Sequence, residues 1–245
     1  MDLRRTTILL FHMSLCLLYS SLQAQDILPL ATNRPSFSAT TYTLQPGNIQ
    51  FEGGYQREHI SGEITHTLPV TEVHLGLREG TEGSLIWSGM QLRDRTSAFS
   101  DITLTVKQRL IGMPSYHVSL QGLLTLPTGN RWATRNRLTP AVALIWDYSF
   151  TPSFTTFGTA ILIGSETPGA DAALGLAFPL ASQFSAFVEY YVQMSGDATY
   201  HTADAGLLLL LSPDVQLDLN GGINLTHTGH FYAGVGIAYR IRKAK

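Results

Sequence analysis

The chain has 245 residues, of which 14% are charged and 10% are aromatic, with 22 glycines and a formal net charge of −2. Because about a quarter of an average soluble domain is charged, this chain is unusually poor in charge. No basic stripe with interleaved aromatic residues is present, so we predict no nucleic-acid partner. The length suffices for one large domain or two small ones.

The first residues have the features of a secretory signal peptide. Arg4 and Arg5 precede the apolar run ILLFHMSLCLLY, and small residues allow cleavage after Ala24. An anchoring helix is the weaker alternative because the apolar run is short. Cys16, the one cysteine, lies in this run, so the mature chain is predicted to hold no disulfide. We predict a cleaved signal at residues 1–24 and export of the rest.

A polar stretch of small and hydroxylated residues follows, ATNRPSFSATTYTLQPGN. Such a stretch could link to a soluble domain, or it could fold into the interior of a hollow structure. Pro46 and Gly47 favour a turn at its end. We predict that residues 25–47 form a periplasmic lead-in that is a candidate plug of a lumen.

From there on, apolar and polar residues alternate with a period of two, which is typical of β-strands. In NIQFEGGYQ, for example, Ile49, Phe51 and Tyr55 fall on one face and polar residues on the other. The pattern predicts an all-β chain. We place its strands at roughly 48–57, 69–78, 83–92, 101–111, 116–126, 139–150, 154–163, 171–179, 184–194, 201–211, 214–225 and 231–241.

The predicted strands are long enough to cross a bilayer at a tilt. Short turns alternate with longer connections such as EHISGEITHT and RDRTSAFS, as expected for two unequal rims. An open sheet would leave unpaired edges in hydrocarbon, and closure removes them. We therefore predict a closed antiparallel transmembrane β-barrel of about 12 strands over residues 48–241.

An even number of strands would place both termini in the periplasm, with residues 242–245 as a basic periplasmic tail. The competing fold is a soluble sandwich or a lipocalin-like cup. Few acidic residues and lysines on the polar face, and aromatic residues near the strand ends, favour the membrane barrel.

In a barrel, the polar faces of the strands line the lumen. The charged residues predicted to line it are Glu52, Glu72, Arg78, Lys107, Arg109, Asp147, Glu189, Asp204, Asp218 and Arg240. They could form a constriction that sets selectivity. Alternatively, they could form a salt-bridge network that fills a narrow barrel. We expect Arg34 of the lead-in to meet Glu52 or Glu189, and Arg34 and Pro35 are the candidate gate.

Several blocks resemble a known family. These blocks are TNRPSFSATTYTLQPGNIQFEGGY, LTLPTGN, FSAFVEYY, LLLLLSPDVQLDLNGGINL and FYAGVGIAYR. They resemble outer-membrane barrels named for the meta-pathway of phenol degradation, which are regarded as transporters, and the likeness runs from about Thr32 to Arg240. The resemblance implies a barrel of the bacterial outer membrane that meets lipid and the outer-membrane assembly machinery. In one departure, the chain continues past Tyr239 as RIRKAK, whereas many such barrels end on an aromatic residue.

We therefore expect a passive transporter or channel for small organic compounds, aromatic ones among them, without cofactor or catalysis. One alternative is a plugged structural barrel that transports nothing. The other is a lipid-modifying enzyme using Ser119 with His117, or Ser195 with His201, although no nucleophile elbow is present.

Loop histidines offer a further possible site. His201, His227 and His230 would lie at one rim, and the last two are three residues apart. Solvated loop histidines are commoner than metal ligands, so we predict no metal there.

Overall fold

The structure is a computed structural model that describes residues 30–164 and 168–244. The predicted signal at 1–24 lies outside the described residues. The chain divides into residues 1–30 and 31–245, and the description below concerns the second of these units. Among the described residues, no helix is long and apolar enough to cross a membrane.

The described chain consists of antiparallel strands joined mostly by short connections. The strands are β1 (Ile49–Ile60), β2 (Glu63–Arg78), β3 (Thr81–Trp87), β4 (Met90–Arg93), β5 (Thr96–Phe99), β6 (Ile102–Gly112), β7 (Tyr116–Leu126), β8 (Thr139–Thr151), β9 (Phe154–Ile163), β10 (Gly169–Pro179), β11 (Phe184–Ser195), β12 (Ala198–Ser212), β13 (Val215–Asn224) and β14 (Phe231–Ile241). A 3-10 turn, Arg131–Ala133, lies between β7 and β8.

The sheet closes on itself. Strand β1 pairs with both β14 and β2, so that Ile49 lies opposite Ile241 on one side and Leu75 on the other. Twelve strands complete the ring. The other two, the short β4 and β5, form a hairpin in which β4 pairs with the part of β2 that β3 does not reach. The predicted closed antiparallel barrel is thus confirmed. The start of β1 and the end of β14 share one rim; that this rim faces the periplasm stays a prediction.

Two connections predicted as long loops are instead mostly strand. In EHISGEITHT, β1 and β2 continue to a two-residue turn at Ser61 and Gly62, whose φ angles are 51° and 88°. In RDRTSAFS, β4 and β5 meet at Asp94, with φ 51°. Left-handed residues at tight hairpin turns match the twist of the strands they join. The expected long loops at these two places were therefore wrong.

Strand β2 starts six residues earlier than predicted because Pro69 does not end it. Proline cannot donate a ladder hydrogen bond and is normally confined to edges and breaks. Here it lies where the partner of β2 changes, since Leu68 pairs with Met90 of β4 and Thr71 pairs with Trp87 of β3. The missing donor falls in the gap between the two pairings.

The two faces of the wall are inverted relative to those of a water-soluble protein. Large apolar side chains such as Phe51 and Val106 are exposed at 41% and 55% of their surface. Their polar neighbours Glu52 and Lys107 are each only 1% exposed. A contiguous apolar outer surface needs an apolar solvent, so the outer face is suited to lipid.

Candidate functional site

The interior holds residues 31–44, which we call the N-terminal segment. The backbone runs from this segment to the start of β1 at the rim. There, Gly47 N–H donates to Gly76 O at 2.8 Å and Gly76 N–H donates to Asn48 O at 3.0 Å. Side chains from at least seven strands then hydrogen-bond the segment. Its position depends on the inward face of the wall.

Glu52 of β1 and Glu72 of β2 hold the start of the segment. The Glu52 carboxylate accepts backbone N–H groups of Asn33 at 3.2 Å and Arg34 at 2.9 Å. The Glu72 carboxylate accepts from Asn33 Nδ2 at 2.8 Å. Gln50 Nε2 adds a hydrogen bond to the carbonyl of Ala31 at 2.8 Å. Hydrogen bonds to a charged acceptor are worth about 1.5–3 kcal/mol each, so this pair is a strong anchor.

Arg34 and Pro35 meet the opposite flank of β1. The Arg34 guanidinium lies 3.2 Å from Asp218 Oδ1 of β13, with side chains 10% and 0% exposed, and it also donates to Val235 O of β14 at 3.3 Å. Pro35 O accepts from Asn220 Nδ2 at 2.9 Å. The predicted contact of Arg34 with Glu52 is made by its backbone N–H, while its charge pairs with Asp218.

The middle of the segment is bound by β11. Both oxygens of Glu189 accept backbone N–H groups, from Phe37 at 2.7 Å and from Ser38 at 3.0 Å. The Phe37 ring stacks on Tyr191 with centroids 4.4 Å apart and planes 9° apart. An aromatic contact of this kind adds about 0.5–1.5 kcal/mol beyond area burial.

The end of the segment crosses to β6, β7 and β8. Lys107 Nζ donates to Thr40 O at 3.2 Å, and Ser119 Oγ donates to Thr41 O at 2.6 Å. The Thr41 hydroxyl in turn donates to the Asp147 carboxylate. Burial, with Asp147 adding to it and Arg109 opposing it, raises the pKa of the Tyr42 phenol, so that group stays neutral.

A histidine surrounded by carboxylates lies beneath the segment. His74 Nε2 is 3.3 Å from both Glu52 Oε1 and Glu72 Oε2, and its Nδ1 is 3.1 Å from Glu82 Oε1. Glu82 also pairs with Lys107 Nζ at 3.2 Å and accepts the Leu44 N–H at 2.9 Å. Buried ions need this degree of pairing, because desolvation costs several kcal/mol per ion.

Glycines on the wall make room for the segment. A Cβ built on Gly76 would lie 2.9 Å from the O atom of Leu44, the last residue of the segment, and 2.0 Å from the O atom of the adjoining Gln45. One on Gly236 would lie 2.4 Å from Arg34 Nε. Neither position has a left-handed φ, so space rather than backbone conformation requires glycine there. The close packing of the segment against the wall thus depends on glycines of the wall as well as on residues of the segment.

Two arcs of the lumen differ in chemistry. We call a set of charged inward side chains of β13, β1, β2 and β3 the charged wall: Asp218, Glu52, Glu72, His74 and Glu82. The apolar wall consists of the apolar inward side chains of β8, β9 and β10, which are Ala143, Ile145, Phe157, Ile161 and Ala173; Asp147 of β8 and Thr159 of β9 are also buried but belong to neither set. Strands β1 and β9 are six pairings apart in either direction, so the walls face each other.

A cavity of about 250 Å³ lies between the segment and the wall. Asn33, Arg34 and Phe37 line one side of it, and Ala143 and Ile161 of the apolar wall line the other. A second cavity, of about 450 Å³, lies where the β1–β2 turn meets β11–β14, with Tyr191, Tyr200 and Tyr232 among its lining residues. The lumen therefore keeps open volume beside the segment.

The structure brings together most of the residues predicted for the lumen. Those that contact the segment are Glu52, Glu72, Lys107, Asp147, Glu189 and Asp218. The others lie apart from it. Asp204 accepts from Tyr232 at 2.7 Å, Arg78 donates to Thr81, Arg109 lies 3.9 Å from Glu79, and Arg240 pairs with Asp214 at 2.9 Å. These three arginines lie near the ends of β2, β6 and β14, at the rim where β1 starts. The structure therefore does not bring them together with the carboxylates that bind the segment.

Sequence reasoning missed several contacts. Glu82 was left out because the third strand was predicted to start at 83, two residues after its observed start at Thr81. Neither His74 nor Gln216, which donates to Thr32 Oγ1 at 2.9 Å, was singled out among the residues predicted to line the lumen. The alternation of apolar and polar residues would have indicated that these side chains point inward. No local sequence pattern indicates which part of the N-terminal segment each strand contacts.

The hydroxyl and imidazole pairs considered for catalysis have other partners. Ser119 is fully buried and donates to Thr41 O, while His117 pairs with Asp147 at 2.8 Å. Ser195 lies opposite Ala198 in the pairing of β11 with β12, whereas His201 lies opposite Val192. At the rim, His227 and His230 stack with ring centroids 5.3 Å apart, and His230 contacts Ser61 Oγ at 2.9 Å.

A closed barrel with an apolar outer surface and a polar, occupied interior defines the class of bacterial outer-membrane β-barrels. Within it, the chain belongs to the family described as "Putative MetA-pathway of phenol degradation", which it matches over residues 32–241. The predicted family and outer-membrane location are thus confirmed.

Solved structures support the fold. The COG4313 outer membrane channel from Pseudomonas putida F1 has a TM-score of 0.65 and 13% identity, over 84% of this chain and 100% of that one. The KdgM porin has a TM-score of 0.59 and 9% identity, over 78% and 99%. The NanC porin has a TM-score of 0.57 and 9% identity, over 78% and 98%. Among curated proteins, none matches the sequence significantly.

Proposed function

We propose that this barrel is a passive channel for small organic compounds and that residues 31–44 gate it. The observation that carries the proposal is the lumen cavity of about 250 Å³ between the segment and the apolar wall. Apolar cavities of about 150 Å³ already hold a benzene molecule. This cavity therefore has room for a single-ring compound.

The lining of the cavity suits such solutes. Ile161 and Ala143 offer apolar surface, while Gln121, which lies next to Ala143 on the neighbouring strand, and Asn33 of the segment offer hydrogen-bonding groups. Ligand sites commonly combine a mostly apolar surface with a few polar groups that fix orientation. The three similar structures reported above are an outer-membrane channel and two porins, which supports a channel role.

The alternative is a structural barrel closed permanently by the segment. It is favoured by the anchors described above, particularly the buried Arg34–Asp218 pair and the two backbone donors on Glu189. A gate requires that these contacts be released together. A permanent plug requires that they never are.

Reconstitution separates the two. Purified protein in planar bilayers and in liposomes is compared with a variant lacking residues 31–44 and with one in which they are replaced by a glycine–serine sequence of equal length. We expect measurable swelling with single-ring solutes for the wild type, and a larger conductance for both variants. The glycine–serine variant controls for the loss of chain length.

Single substitutions refine this test. Glu52→Gln and Asp218→Asn weaken anchors of the segment and should raise the conductance. Arg109→Gln is the matched control, because Arg109 lies at the rim, 3.9 Å from an exposed Glu79. No flux through the wild type but flux through the deletion variants would favour the structural barrel. No flux through any of them would refute the channel.

A further inference from the structure

Three side chains of β1 and β2 converge on one point beneath the segment. One potential ligand atom from each of Glu52, Glu72 and His74 lies within 4.8 Å of the other two. Two of the three distances are measured directly, since His74 Nε2 is 3.3 Å from Glu52 Oε1 and 3.3 Å from Glu72 Oε2. The cluster combines one imidazole with two carboxylates.

These distances fit tetrahedral metal coordination. Zinc binds histidine nitrogen and carboxylate oxygen at about 2.0–2.1 Å, which places neighbouring ligand atoms of a tetrahedron roughly 3.3–3.4 Å apart. Both measured separations agree with that edge. Both separations are longer than the most common N–H···O distance of about 2.9 Å, and His74 Nε2 forms no hydrogen bond.

The orientation of His74 gives independent support. Its Nδ1 lies 3.1 Å from Glu82 Oε1 and 2.9 Å from Ser84 Oγ. A ring N–H that donates to a carboxylate fixes the tautomer and leaves the lone pair of the other nitrogen for a metal. That other nitrogen, Nε2, makes no hydrogen bond although the side chain is only 3% exposed. It points between the two carboxylates.

The local charge also calls for a cation. Glu52, Glu72 and Glu82 surround His74, and Lys107 pairs with Glu82. The guanidinium of Arg34 is engaged with Asp218 instead. With a neutral His74, the charges of Glu52, which is buried, and of Glu72, whose side chain is 14% exposed, are compensated by hydrogen bonds alone, and one divalent cation would balance both.

We propose that Glu52, Glu72 and His74 bind a divalent transition-metal cation of the zinc type, with a water molecule as the fourth ligand. Asn33 donates to the same two oxygens, Glu52 Oε1 at 3.2 Å and Glu72 Oε2 at 2.8 Å. Hydrogen bonds to coordinating carboxylates orient them. The site therefore lies directly under the segment, and bound metal and docked segment use the same carboxylates.

Metal binding is measured on the detergent-purified chain, stripped with a chelator and titrated with zinc chloride against a chromogenic competitor. We expect one zinc ion per chain. Glu72→Gln and His74→Gln should weaken binding by about 100-fold or more, since each removes a ligand. The matched control combines His227→Gln with His230→Gln, which removes the rim histidines and should leave the affinity unchanged. Equal affinity for wild type and Glu72→Gln, or no stoichiometric zinc in the wild type, would overturn the proposal.

X-ray absorption at the zinc edge of the wild type keeps the test independent of how the variants fold. The expected first shell has one imidazole nitrogen and three oxygens at about 2.0–2.2 Å. Two or more imidazoles would assign the metal to the rim histidines and contradict the proposal. Because both measurements are made without transport, a failed flux experiment leaves this result unaffected.

Discussion

The charged wall and the apolar wall are built from the same kind of strand, yet they solve the same packing problem differently. On the charged wall, the space over Gly76 is taken by the backbone of Leu44, the last residue of the segment, and of the adjoining Gln45. On the apolar wall, a Cβ on Gly175 would meet the wall's own Phe157 ring at 2.3 Å. One wall is complete only with the segment in place, whereas the other fills its gaps itself.

The difference explains where open volume remains. Carboxylates on the charged wall accept backbone N–H groups at the start of the segment, and β11, β6, β7 and β8 hold the rest of it. The apolar wall presents Ile161 and Ala143 to the cavity instead. A solute passing the segment would therefore travel along the apolar wall.

The largest change is expected from Arg34→Ala. Breaking a buried ion pair by removing one partner costs about 3–5 kcal/mol, and Asp218 would be left buried without its cation. The segment should therefore detach from the charged wall. The readout is the maleimide labelling rate of a Ser38→Cys reporter, since Ser38 is 2% exposed in the docked segment.

Two controls accompany this variant. Arg93→Ala removes an arginine whose pair with Glu63 is half-exposed, and it should leave the labelling rate unchanged. Adding Asp218→Asn to Arg34→Ala should restore part of the protection, because the uncompensated charge is gone. Unchanged labelling in Arg34→Ala would show that the ion pair does not hold the segment.

Gly76→Ala should have a smaller effect, of about 1–3 kcal/mol, typical of overpacking. Its Cβ would overlap Gln45 O, which belongs to the backbone and cannot rotate away. We expect faster labelling of the reporter and a lower temperature of heat-induced unfolding. Gly122→Ala is the matched control, since nothing lies within 4 Å of its added Cβ. Equal behaviour of the two variants would contradict the idea that the wall is shaped for the segment.

Ser119→Ala removes one hydrogen bond to the segment, at Thr41 O, and should cost about 1 kcal/mol. Labelling of the reporter should rise by roughly fivefold, the factor that this free energy corresponds to. The same variant tests the enzyme alternative, because a lipid-modifying activity that depended on Ser119 would disappear.

Ile161→Ser should leave the segment in place, since the apolar wall does not bind it. The labelling rate is expected to match that of the wild type. Entry of apolar single-ring solutes into liposomes should fall, because the cavity lining becomes more polar. A labelling rate as high as that of Arg34→Ala would erase the distinction between the two walls.

The fold was largely readable from the sequence because a lipid-facing wall requires apolar residues at every second position. The neighbouring residues Phe51 and Glu52 show this alternation, since the first faces outward and the second inward. Strand ends were less accurate where a tight turn of unexpected type intervened, as at Ser61 and Gly62. The alternation of ITHT and TSAF was mistaken for loop because hydroxylated residues are common in both settings.

For the site, the sequence predicted which side chains point into the lumen but not which contacts they make. Glu52 and Glu189 were expected near Arg34, and both do contact the segment, but through backbone N–H groups that carry no sequence signal. The distances around His74 depend on the register between β1 and β2. That register includes a bulge between Gly54 and Gln56, which alternation alone does not locate.

Arg34 also bears on how the ring stays shut. Its backbone is tied to Glu52 on the first strand, and its guanidinium to Asp218 and Val235 on the last two. The seam where β1 meets β14 joins the first and last strands of the barrel. Arg34 thus links the strands on both sides of that seam through its backbone and its side chain, so lateral opening of the barrel there would have to break the same contacts that hold the segment.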